Sequence, residues 1–109
     1  MKTLSYLTHD EVNEDEARQT IEACGARMIP LWLRDPLPTG EFHASIFDLD
    51  SLPPNKRQDV LDDLLTRARP GRVGIHTFQL DENQASALRQ NGVRVVRQLH
   101  QDVIRELLA

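Results

Sequence analysis

"HASIFDLDSLPPNKRQDVLDDLLTRARPGRVGIHTF", residues 43–78, decides the fold class. It opens on an apolar, strand-like run that stops at two acids one residue apart, Asp48 and Asp50, before the Pro53-Pro54 turn. Over 55–68 the period changes. Val60, Leu61, Leu64, Leu65 and Ala68 fall on one stripe with charges elsewhere, the pattern of a helix with one buried face. Arg69-Pro70-Gly71 ends that helix, and 72–78 returns to a strand pattern. A strand, a crossover helix and another strand joined by short turns imply parallel pairing with a right-handed connection.

Outward from this unit the alternation continues. Residues 2–8 read as a strand, and 13–25 as a helix with Glu14, Asp15 and Glu16 in its first turn, where the helix dipole favours acids. Gly25 is a good stop for that helix. Residues 26–33 read as a second strand whose Pro30 implies an edge position. The segment 34–41 holds two prolines and a glycine and reads as a loop. Downstream, 81–92 is a helix capped by Asp81 and ended at Asn91-Gly92, 93–99 is a strand, and 101–109 is a final helix. The expectation is one domain over 1–109: a five-stranded, mainly parallel sheet with helices on both faces. No helix is expected between the second and third strands.

Composition narrows the function classes. Hydrophobic residues make up 39% and charged residues 28% of the 109, a globular balance. A net charge of −4 with no dense Lys/Arg cluster argues against a nucleic-acid surface. Cys24 is the single cysteine, so no internal disulfide or thiolate zinc site can form, which fits a reducing compartment. The first dozen residues turn acidic too early for a signal peptide. No apolar run approaches the roughly 20 residues that cross a bilayer. A cytoplasmic protein with no membrane partner is expected.

In an open parallel sheet, ligands sit at the carboxyl ends of the strands. The chain places His9, Asp10 and Glu11 after the first strand and Asp48 and Asp50 after the third. Thr77 follows the fourth strand, and Arg97, Gln98 and His100 follow the fifth. Carboxylates from neighbouring strand tips suit Mg²⁺, a hard ion that takes oxygen ligands. A carboxylate beside such an ion can attack a phosphoryl group, with a hydroxyl and a cation meeting the phosphate oxygens.

Three stretches together resemble the receiver domains of bacterial two-component response regulators. "LSYLTHDEVNEDEARQTIEACGARM" is similar to the acidic tip of their first strand and the helix after it. "HASIFDLDSLPP" is similar to the phosphoacceptor strand and its proline turn, and "RVGIHTFQLDENQASALRQNGVRVVRQL" to the switch strand through the fifth strand. The resemblance implies the flavodoxin-like strand order 2-1-3-4-5. It makes Asp48 the phosphoacceptor candidate, Asp10, Asp48 and Asp50 the Mg²⁺ candidates, and Thr77 and Arg97 the switch and phosphate contacts.

The chain departs from that pattern. The family's acidic pair lands on Thr8 and His9, and its invariant Lys-Pro is Arg97-Gln98. Losing a carboxylate weakens a metal site whose affinity follows its charge. Arginine does not replace a compact ammonium. The resemblance therefore implies a degenerate receiver, not an enzyme, that needs no cofactor and signals through protein contact. Its partner, an acidic protein or a second copy, is expected on Asp81–Ala109, where Arg89, Arg94, Arg97 and Arg105 offer a basic side. Trp32, beside the Pro-rich loop, is a further interface candidate. Two alternatives keep catalysis: a phosphoaccepting receiver using Mg²⁺ and Asp48, or a small Mg²⁺-dependent phosphotransfer enzyme using Asp48 and Asp50.

Plainer roles stand beside these. Asp48 and Asp50 equally suit a strand end and the cap of the next helix. His43 and His76 read as packed or strand-edge residues, and Cys24 as a small buried hydrophobe.

Overall fold

A computed structural model describes residues 1–31, 42–67 and 71–109, with the side chains of 61 and 63–67 left aside. Five strands form one sheet: β1 (Thr3–Leu7), β2 (Arg27–Leu31), β3 (Ala44–Asp48), β4 (Val73–His76) and β5 (Val93–Val96). Every pairing is parallel, in the order β2-β1-β3-β4-β5. That is the flavodoxin-like doubly wound order, with its reversal between β1 and β3. The helices among the described residues are α1 (Glu11–Ala23), α2 (Pro54–Arg67), α3 (Glu82–Gln90) and α4 (Gln101–Leu108). The expected loop 34–41, the lack of a helix there, and Trp32 fall outside the described residues.

The side-chain period of two along each strand separates two cores. Leu4, Tyr6, Met28, Ala44 and Ile46 face one side, where Ala17 and Ile21 of α1 and Ile104, Leu107 and Leu108 of α4 cover them. Val73, Ile75 and Val93 face the other side, against Val60 of α2 and Leu88 of α3. Burying each such side chain contributes roughly 1.5–3 kcal/mol, so the two apolar faces carry the sheet's stability. Gly74 lies on the first face, and a Cβ there would sit 3.3 Å from Leu107. This glycine lets α4 approach the sheet.

Local rules explain the boundaries. Pro30 sits on β2, the edge strand, where its missing N–H leaves one fewer ladder bond to make. Helix α1 begins at Glu11, earlier than its sequence pattern predicts, because Asp10 caps it. Helix α2 begins at Pro54, a residue suited to the first turn because its fixed φ is already helical. Gly25, with φ near +80°, takes the left-handed position that ends α1.

Strands β4 and β5 stop at His76 and Val96, short of the predicted 78 and 99, and so Thr77, Phe78 and the segment 97–100 become loop. Leu49–Ser51 winds into a single 3₁₀ turn instead of extending β3. None of the described helices is long and apolar enough to cross a membrane.

Candidate functional site at the carboxyl ends of the strands

Four strand ends meet where β1 and β3 run side by side. Thr8, wholly buried, leaves β1 and donates its hydroxyl to Asp48 Oδ2 at 2.8 Å. The same oxygen accepts from Asn13 Nδ2 of α1 at 2.9 Å. Asp48 is only 2% exposed, and these two donors to one oxygen offset part of the cost of burying a carboxylate. Ser51 fastens the same corner: its hydroxyl accepts from the His9 N–H at 2.9 Å and donates to the Asp48 carbonyl at 3.0 Å.

Asp10 points to the start of its own helix. Its Oδ1 accepts from the N–H groups of Val12 and Asn13, at 2.9 and 3.1 Å, an N-cap that leaves fewer helix donors unpaired. Asp50 turns the other way from Asp48. One of its oxygens accepts the Thr77 hydroxyl and the other the Phe78 N–H at 2.7 Å, so the carboxylate clasps the β4–α3 loop to the end of β3. Arg57 of α2 reinforces the clasp by donating to the Asp50 and Leu52 carbonyls, at 3.0 and 3.1 Å.

The structure thus distributes Asp10, Asp48 and Asp50 among a helix cap, a buried corner and a loop clasp. Among the described residues, no group of three or more His, Cys, Asp and Glu side chains is placed to hold a metal ion. Thr77 and Asp50 are brought together; Thr77 is 3% exposed and also accepts from the Gln79 N–H.

Beside Asp48 opens a cleft of about 540 Å³, bounded by α1, the ends of β1, β3 and β4, and the segment 97–100. Tyr6, Asp48, His76, Phe78, Arg97 and Leu99 line it. His76 Nε2 lies 3.0 Å from the Arg97 carbonyl, which can only accept, so Nε2 carries the proton. In the neutral ring Nδ1 is then the acceptor for the Tyr6 hydroxyl at 3.4 Å. Burial, then the negative charge of Asp48, pushes the Tyr6 phenol far above its ordinary pKa. It stays a donor at every physiological pH. The Phe78 ring, 64% exposed, tilts against His76 with ring centres 6.0 Å apart.

The arginines of the expected basic side have different neighbours. Arg94 pairs with Glu106 at 2.8 Å, Arg89 with Glu82 at 3.2 Å and Arg105 with Asp102 at 3.5 Å. Arg97 stands on the cleft wall and forms no ion pair among the described residues. His100 precedes α4 without capping it by its side chain.

Sequence reasoning passed over Tyr6, Asn13, Ser51 and Phe78 as site residues. Asn13 had a usable signal, since it stands three positions after a good N-cap and therefore on the first turn beside the strand ends. Tyr6 and Phe78 had none, because strand patterning does not say which ring will stand at a cleft.

No family model and no curated protein matches this sequence. Among solved structures, a de novo designed Rossmann-fold protein is similar at 16% identity, covering 96% of this chain and 91% of that one, with a TM-score of 0.34. The topology given above rests on the strand pairing alone.

Proposed function

We propose that this chain is a receiver-like module of signal transduction that works through protein–protein contact in one fixed state, without aspartyl phosphorylation. One observation carries this reading. The Thr77 hydroxyl and the Phe78 N–H are both held by Asp50, so the loop that would have to move in a switch is already fastened. Asp48 is deeply buried and fixed by Thr8 and Asn13, and the Asp10 carboxylate is occupied by helix α1. Each of the three carboxylates that phosphoryl chemistry would call on has an internal use.

The partner surface in this proposal joins Phe78 and Arg97 to the face made by α3, β5 and α4. Arg89, Arg94 and Arg105 are neutralised by acids of their own fold, which leaves Arg97 and the exposed ring as the distinguishing features. An exposed aromatic beside a cation suits a partner, or a second copy, that presents an apolar residue flanked by acids.

Incubation with acetyl phosphate and Mg²⁺, followed by intact-mass measurement, tests the silent state. The expected result is an unchanged mass; a phosphate-sized gain that Asp48→Asn abolishes would overturn it and favour the phosphoaccepting alternative. A photo-cross-linking residue at position 78, compared with one at position 59 on α2, tests the surface. Adducts to protein should form from 78 and disappear in Arg97→Glu. Equal labelling from both positions rejects this face.

A further inference from the structure

The Asp48 carboxylate is half satisfied. Thr8 and Asn13 both donate to Oδ2, and among the described residues nothing donates to Oδ1. The residue is 2% exposed, yet it lines the 540 Å³ cleft. Charges this deeply placed are ordinarily paired, and here both donors go to one oxygen. Asp48 lines a space of the size that holds a small molecule.

The walls say what kind. Glu16 on the α1 side and Asp50 also line the cleft, so three carboxylates face it against the one guanidinium of Arg97. His76 and Phe78 supply aromatic surface and Leu99 apolar surface. Carboxylates beside aromatic faces favour an organic cation twice, by charge pairing and by the attraction of a cation to ring faces. Tyr6, held un-ionised, offers no competing negative charge.

We propose that this cleft binds a small organic amine with an aromatic or apolar body: its ammonium donates to Asp48 Oδ1, and its body packs against Phe78 and Leu99. Binding involves no covalent step. The site differs from the protein-contact surface in its floor, Asp48, and does not depend on the signalling reading. Where the amine also carries a carboxylate, Arg97 stands on the opposite wall to receive it.

Titration followed by amide NMR tests this with phenethylamine as the probe and 2-phenylethanol as its uncharged counterpart. Phenethylamine should give saturable shifts centred on Asn13, Asp48 and Phe78, at an affinity about tenfold or more above that of the alcohol. Asp48→Asn, which keeps an oxygen for Thr8 and Asn13, should lower the affinity about tenfold. Phe78→Ala, at an exposed position that does not support the core, should lower it severalfold.

Three results overturn the proposal. One is the absence of saturable shifts, and a second is equal binding of the alcohol. The third is an affinity left within about twofold by both variants. Tighter binding of Nα-acetyl-lysine amide than of phenethylamine would reject the apolar body and point to a protein lysine as the occupant.

Discussion

Asp48 and Asp50 stand two positions apart at one strand end and both line the cleft, yet they take their donors from different elements. Asp48 takes two donors, from Thr8 and from Asn13 of α1, on one oxygen beside a cleft of about 540 Å³ that Asp50 also lines. Asp50 faces the β4–α3 loop, where each oxygen takes one donor beside a smaller hollow of about 190 Å³. The 3₁₀ turn at Leu49–Ser51 lies between them, so Asp50 is no longer on the strand that carries Asp48. Equal chemistry therefore yields unequal roles: one carboxylate divides two donors between its oxygens to close a loop, and the other takes both on a single oxygen.

Like-for-like amide substitutions sharpen the contrast. Asp50→Asn replaces an accepting oxygen with an NH₂ that must face the Thr77 hydroxyl or the Phe78 N–H. Losing one charge-assisted bond and the ionic character of the other should destabilise the fold by about 2 kcal/mol in urea unfolding. Asp48→Asn can turn its NH₂ toward the cleft and keep its oxygen for Thr8 and Asn13, so the loss should stay under about 1 kcal/mol. Equal losses for the two variants would break the distinction between clasp and buried anion. Asn13→Ala, which removes one of two donors to Asp48, should cost about 1 kcal/mol and leave Thr8 in place.

The smallest effect at neutral pH belongs to Tyr6. Its folded pKa is raised by burial and by Asp48, so the unfolded phenol ionises first as pH rises. Below about pH 10 both states keep the proton and the group adds no pH dependence. Above it the unfolded state loses its proton while the folded state holds on, and stability should fall by about 1.4 kcal/mol per pH unit from this group. Tyr6→Phe should remove that part of the alkaline slope. An identical slope in the variant would mean that Tyr6 is not sealed beside Asp48.

Much of the architecture was legible in the residues. The change from a period of two to a stripe at helical spacing within 43–78 marks strand and helix directly, and Pro30 correctly implied an edge. The site was less legible. Asp10 follows a strand and precedes a helix, a place where a carboxylate serves equally as ligand or cap, and only its bonds to Val12 and Asn13 separate the two. Thr77 and Asp50 lie 27 positions apart, and their bond requires β3 and β4 to pair with Asp48 opposite His76. The strand pattern overruns the observed ends at 77–78, where β-friendly Thr and Phe enter a loop, and at 97–99.

From the chain alone came the alternation of strands and helices, their parallel sense, and the gathering of acids at one rim, since short-range periodicity and crossover handedness suffice for these. Which carboxylate closes a loop and which takes its donors from Thr8 and α1 was settled only in three dimensions. That choice depends on the register between strands and on one tight turn of Leu49–Ser51, through which distant donors reach their acceptors.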